Sequence, residues 1–264
     1  MSKQRIIYYY QTFCGLGKIF DLPRNPVTDI HLGAIHFGYD KNNEVYIHLN
    51  NHSPWNPRFD RVWKDMNEAN KIGIDVSLMI GGAGGGFKTL FESYDESYQL
   101  LYTLLASEKC ITGVNLDVEE EVDFEDLVWL VNDLRYDFPY LTISFAPVAG
   151  SLQSDTPGLG GFSYRDVEDK INPSYYNTQF YNSFSLTDYS MCVNNGYPPE
   201  KIVMGMLAEP SQLKDALRVL QSVNHKYPNM GGSYVWEYYD SYEPPKWALE
   251  VEKVLEGKDY YLLL

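Results

Sequence analysis

The chain has 264 residues, a hydrophobic content of 44% and a formal net charge of −15, which fits one domain, here 1–264, large enough to bury a full core without metal or disulfide staples. That acidity argues against a phosphate-backbone partner, which needs clustered Lys and Arg, and suits an uncharged substrate such as a polysaccharide. Cys14, Cys110 and Cys192 are odd in number and far apart, so they read as free thiols of a reducing compartment. No run of about 18 apolar residues marks a membrane span. No apolar leader with a cleavage site precedes the first strand, so no export signal is expected in the chain as read and the compartment stays open.

Short β-rich apolar runs recur at 5–10, 30–37, 75–80, 113–117, 141–146, 176–181, 201–206 and 232–236. Segments of helical period lie between several of them. Phe59, Val62, Trp63 and Met66 share a face that stops near Gly73, where a glycine can end a helix. Phe124, Leu127, Val128, Val131 and Leu134 do the same behind a candidate Asp123 cap. Leu213, Leu217 and Leu220 follow Ser211, and Ala248, Val251 and Leu255 precede Gly257. Strands alternating with amphipathic helices imply parallel pairing. Eight such strands favour an α/β fold of the (β/α)8 TIM-barrel type without a large insertion domain, although the first crossover, 15–26, carries no clear helix.

Three other signals are weaker. His48 and His52 are spaced i, i+4, but Asn50, Asn51 and Pro54 place them in a loop, and no metal is expected. The run Gly81–Gly86 lacks both the third glycine of a dinucleotide fingerprint, where Phe87 stands, and a following GK[ST]; it reads as a loop bordering a cleft, and no cofactor is implied. Among the tryptophans outside strands, Trp55, in a Pro-flanked loop, is the best placed to touch a ligand.

The run at 113–119 carries the chemistry. Side chains alternate along a strand, so Val114, Leu116 and Val118 share one face while Asn115, Asp117 and Glu119 share the other. In a buried strand the apolar face packs on helices and the polar face points into the barrel. Unpaired carboxylates are costly there, which points to function over packing. Catalytic groups in such barrels stand at the C-terminal ends of strands, where Glu119 falls. Cleaving a glycosidic bond needs a carboxylic acid for the leaving oxygen and a second group for the cationic centre. Glu119 and Asp117 fit those two needs, whereas Glu120 points the other way and, with Glu121, reads as the start of the next loop.

The stretch Thr112-Gly113-Val114-Asn115-Leu116-Asp117-Val118-Glu119 resembles the D-G-x-D-x-D-x-E signature of glycoside hydrolase family 18, and further matches to its compact class III chitinases follow in order. Ser77-Leu78-Met79-Ile80-Gly81-Gly82 is similar to the S-x-G-G region of the third strand, with Met79 at or beside the serine's place. Leu141–Pro147 is similar to the fifth strand, Gln179-Phe180-Tyr181-Asn182 to the sixth, Lys201–Gly205 to the seventh and Gly231–Trp236 with Tyr239 and Asp240 to the eighth.

The resemblance implies a retaining endo-glycosidase that cuts β-1,4-linked N-acetylglucosamine chains with help from the substrate's own 2-acetamido group, an exception to the two-carboxylate scheme. On that pattern Glu119 is the acid, Asp117 holds the acetamide N–H, and Tyr181 donates to its carbonyl. Trp236 is the floor beneath the sugar. Gln179, Asn182, Asn115 and Tyr10 are placed with the substrate-binding residues. Asn115 and Thr112 depart from the pattern's aspartates. Asn115 cannot take up a proton from Asp117, and its amide is expected to donate to Asp117 and keep it ionised. Thr112 is expected to support the strand. Two alternatives share the strand: an endo-β-N-acetylglucosaminidase acting on the N-glycan chitobiose core, and a non-hydrolytic chitinase-like lectin, which retention of Glu119, Asp117 and Tyr181 disfavours. The short span from Gly205 to Gly231 implies an open cleft, and a monomer without nucleic-acid or membrane partners is expected.

Overall fold

β-Branched and aromatic runs form strands where their period is two. In the computed structural model, which describes residues 4–209, 213–241 and 243–258, these are β1 (Arg5–Tyr10), β2 (Asp29–Tyr39), β3 (Val45–Leu49), β4 (Asp75–Gly81), β5 (Gly113–Asp117), β6 (Thr142–Phe145), β7 (Tyr175–Gln179), β8 (Ile202–Leu207) and β9 (Gly232–Trp236). The helices are α1 (Gly17–Phe20), α2 (Asp60–Lys71), α3 (Phe87–Glu92), α4 (Tyr94–Ser107), α5 (Phe124–Asp137), α6 (Ala149–Gln153), α7 (Tyr164–Asp166), α8 (Leu186–Asn194), α9 (Leu213–Lys226) and α10 (Pro244–Leu255). All strands but β3 pair in parallel around a ring, and β9 returns to β1, closing an eight-stranded barrel. The expected (β/α)8 architecture is the one observed.

The first crossover holds only the four-residue α1, as its sequence foreshadowed. One strand was not expected. β3 runs antiparallel to β2 in a hairpin, whose turn is shaped by Asp40 accepting from Asn42 N and Glu44 N and by Asn43 at a φ of 63°. The loop signals of Asn50, Asn51 and Pro54 lie just beyond this five-residue run and masked it. His48 is therefore on a strand, not in a loop, with its ring stacked on Tyr46 at 3.9 Å between centroids.

The helix signals act as read. Asp123 caps α5 by accepting from Glu125 N, α2 stops before Gly73 with its φ of 85°, and α10 stops before Gly257. Ser211, placed before α9, lies outside the described residues. Apolar residues of the outer strand faces, such as Val114 and Leu116, join Leu127, Leu130, Val131 and Leu134 of α5 in one continuous outer core. That shell holds the barrel together, since each fully buried Leu or Ile contributes about 1.5–3 kcal/mol. A smaller inner cluster of Ile7, Tyr9, Ala34, Met79, Tyr175, Val203 and Tyr234 fills the barrel, with Tyr181 and Trp236 half-buried above it. The inner shell is rich in hydroxyls and amides, so hydrogen-bond geometry governs what it can hold.

Candidate active site

The strand alternation read from 113–119 is present in the fold. Val114, Leu116 and Val118 enter the outer core, while Asn115 and Asp117 point inward and are 0% and 6% exposed. Glu119 lies two residues beyond the end of β5 and is half-buried at the barrel's C-terminal rim. Gln179, the last residue of β7, joins the two carboxylates. Its Nε2 donates to Asp117 Oδ1 at 3.2 Å, to Glu119 Oε1 at 3.2 Å and to the carbonyl of Ala146 at 2.9 Å. An amide with two hydrogens serving three acceptors leaves the carboxylate pair short of donors. Burial, and after it the charge of Glu119, push the Asp117 carboxyl well above the usual carboxylate range.

Tyr181 follows the same inward alternation two residues past β7 and joins the inner cluster beside Trp236. Its hydroxyl accepts from Tyr234 Oη at 3.1 Å, which leaves the Tyr181 hydrogen free to point elsewhere. Burial raises its ionisation well beyond neutrality, so it is a donor at any working pH. Trp236 ends β9, half-buried, with its ring 5.2 Å from that of Tyr9. Asn182 is exposed on the turn after Tyr181. Trp55 is 42% exposed in the loop after β3, and no hydrogen bond or ring contact brings it to the carboxylates.

Tyr10 does not belong to the site. Its side chain faces the outer core, edge-on to Phe13 and Tyr238, and its hydroxyl accepts from Gly15 N at 2.7 Å. Adjacent strand residues point to opposite faces, so Tyr9 is the inward one. Tyr9 donates to Asn115 Oδ1 at 2.8 Å and accepts from Asn177 Nδ2 at 2.8 Å. Asn177 also donates to His31 Nδ1 at 3.1 Å, and His31 Nε2 faces Tyr175 Oη at 3.1 Å. That pattern places the histidine proton on Nε2, and burial pushes His31 down to about 3, keeping it neutral.

The expectation for Asn115 needs correction as well. Its amide does not reach Asp117. Instead Asn115 Nδ2 donates to Ser144 Oγ on β6 at 3.0 Å, and Ser144 donates to the carbonyl of Val114 at 3.3 Å. The reason is lateral: Asn115 and Ser144 are register partners on neighbouring strands, whereas Asp117 stands two residues up its own strand. Asn115→Asp would set a carboxylate where a donor is needed, at a fully buried position. We expect a loss of about 1–3 kcal/mol near neutral pH. The loss shrinks in acid, because a buried carboxyl with a raised pKa contributes stability below its unfolded pKa and loses it as pH rises. Equal melting temperatures for parent and variant at both pH 5 and pH 8 would contradict this placement.

Thr112 supports the strand as expected, since its hydroxyl accepts from Val76 N at 2.9 Å. The glycine run after β4 packs tightly against the site. Gly81 has a φ of 94°, and a Cβ there would fall 2.4 Å from the carbonyl of Asp117, so no side chain fits. Gly82 N donates to that same carbonyl at 2.7 Å. Tyr9, Ser144, Asn177 and Glu237 were not singled out from sequence. Glu237, 4% exposed, accepts from Gln11 N at 2.9 Å and Thr12 N at 3.2 Å, fixing the loop after β1. Among the described residues no three His, Cys, Asp or Glu side chains are grouped to hold a metal.

No family model matches the sequence, and no curated protein matches it either. Solved structures do. A fungal endo-β-N-acetylglucosaminidase of glycosyl hydrolase family 18 superposes with a TM-score of 0.84 at 28% identity, covering 95% of this chain and 97% of that one. The chitinase ChiC from Aspergillus fumigatus superposes with a TM-score of 0.83 at 29% identity, covering 94% and 98%. A family 18 chitinase from Pseudoalteromonas aurantia, at 17% identity and a TM-score of 0.72 over 95% and 100%, shares the fold. With the signature-like strand on β5 and this likeness over nearly the whole length of both chains, the chain is similar to glycoside hydrolases of family 18.

Proposed function

We propose that the chain is a retaining endo-glycosidase that cleaves β-1,4-linked N-acetylglucosamine chains by substrate assistance. One observation carries this reading: the Gln179 amide spans Asp117 and Glu119 at the rim of β5, beside the Tyr181 hydroxyl. The pair supplies an acid and an acceptor.

In the first step Glu119 protonates the glycosidic oxygen while the substrate's acetamide carbonyl attacks the anomeric carbon from the opposite face. The C–O bond breaks, the leaving chain departs as an alcohol, and an oxazolinium ion remains. Asp117 accepts the acetamide N–H and balances the positive charge, Tyr181 donates to the carbonyl oxygen, and Trp236 stacks beneath the ring. In the free protein burial favours the protonated form of Asp117. The acetamide N–H, arriving at Asp117, stabilises negative charge there. Water then attacks the anomeric carbon, Glu119 takes its proton, and the oxazolinium opens with the original configuration restored.

A second reading places the same chemistry on the chitobiose core of an N-glycan, and the likeness to a fungal endo-β-N-acetylglucosaminidase supports it as strongly as the likeness to a chitinase supports the first. Incubation with soluble N-acetylglucosamine oligomers and, separately, with a high-mannose glycopeptide tests both. Internal cleavage of the oligomers is expected. Cleavage of the glycopeptide alone would transfer the assignment to the second reading, and binding without cleavage of either would favour the lectin.

A further inference from the structure

We propose that Glu120 is a positioning residue for the acid Glu119, acting by tying the acid-bearing segment to the glycine-rich loop beside it; this rests on the glycosidase reading above. β5 ends at Asp117, so Glu119 is carried beyond the last residue of the strand, where sheet pairing no longer sets its direction. Glu120 supplies an anchor there. Its Oε1 accepts from Phe87 N at 2.7 Å and from Lys88 N at 3.4 Å, the first two residues of α3. Bonds from backbone N–H groups to a carboxylate are charge-assisted and stronger than neutral ones.

The loop that receives this anchor is itself held on two further sides. Gly82 N donates to the carbonyl of Asp117 at 2.7 Å. His36, from β2, sets its Nδ1 2.9 Å from the carbonyl of Gly85, and since a carbonyl only accepts, His36 carries a proton on Nδ1. The loop also needs its glycines at this contact: Gly85 has a φ of 71°, and a Cβ there would fall 3.2 Å from Glu120 Oε1. Glu119 thus lies between two ties of one segment to one loop, at Asp117 and at Glu120. Glu120 is bonded toward α3 while Glu119 is bonded to Gln179, so the two neighbouring carboxylates are held to different partners.

The test compares Glu120→Ala and Glu120→Gln with the parent on N-acetylglucosamine oligomers, with the melting temperature and the hydrogen exchange of residues 82–92 measured alongside. In Glu120→Ala, kcat per folded molecule is expected to fall about tenfold, as for a small misplacement of a reacting group, with KM little changed and exchange at Phe87 and Lys88 faster. Glu120→Gln, whose amide oxygen still accepts from both N–H groups, is expected to recover most of the rate. Parental kcat in Glu120→Ala overturns the proposal, as does a rise in KM alone or an equal loss in both variants. A parent that cleaves no oligomer overturns the glycosidase reading and this proposal together, an outcome distinct from an active parent with an indifferent Glu120→Ala.

Discussion

Glu119→Gln is expected to reduce oligomer cleavage about 10³-fold while leaving binding and fold intact, within the range general acid catalysis contributes. The substitution keeps the side-chain length, and its amide oxygen still accepts from Gln179 Nε2, 3.2 Å from Glu119 Oε1 in the parent. Half-buried at the rim, Glu119 is not part of the outer core that holds the barrel, so the melting temperature should move little. On the proposed mechanism what is lost is the proton for the leaving oxygen, an interaction made only in the transition state. Hence kcat falls and KM does not. Steady-state kinetics on purified protein checks this, and cleavage within tenfold of the parent would remove Glu119 from its role.

The second large effect pairs lost activity with gained stability. On the proposed mechanism Asp117→Asn leaves an acceptor for the acetamide N–H only if its amide turns, and it cannot carry the negative charge that would balance the oxazolinium. A fall in kcat of about 10²–10³ is expected, as for loss of one preorganised electrostatic partner. The stability change has the opposite sign. Burial raises the Asp117 carboxyl above its unfolded value, so its contribution is fully present below the unfolded pKa and is lost as pH rises through the folded one. Removing the carboxyl removes that loss. The variant should therefore melt at a higher temperature than the parent at pH 8, with the gap closing near pH 4. A variant less stable than the parent at pH 8 would contradict the burial argument. Active sites store such destabilisation, and replacing the strained group commonly trades function for stability.

How far these conclusions were legible beforehand differs by residue. Asp117 and Glu119 stood out because they form a polar row on a strand whose other face is Val114, Leu116 and Val118, a contrast that fixes which side faces inward. Gln179 and Tyr181 are found through the resemblance; Gln179 ends β7, and Tyr181, two residues beyond it, joins the inner cluster. The first strand offers no such contrast: Ile6-Ile7-Tyr8-Tyr9-Tyr10 is apolar or aromatic on both faces, so nothing in it tells that Tyr9 faces inward and not Tyr10, the one placed with the substrate-binding residues. The partner of Asn115 was hidden for another reason. Ser144 lies 29 residues away, and only the register of β5 against β6 brings the two to 3.0 Å. Along one strand Asp117 is the nearer polar residue; across the sheet Ser144 is. Glu120 read as a loop residue because its partners are backbone N–H groups, which no side-chain pattern announces. β3 was missed because its five residues abut a stretch rich in turn formers. In each case the strand period was right, and what it lacked was the lateral neighbour.

The central claim is that the substrate's acetamide, held between Asp117 and Tyr181, is the nucleophile while Glu119 moves the proton. The anomeric configuration of the new reducing end tests this most directly, read by proton NMR in the first minutes of oligomer cleavage, before mutarotation mixes the forms. Two displacements at one carbon predict the β-anomer as the first product. The α-anomer appearing first would require a single displacement by water, and would contradict the account.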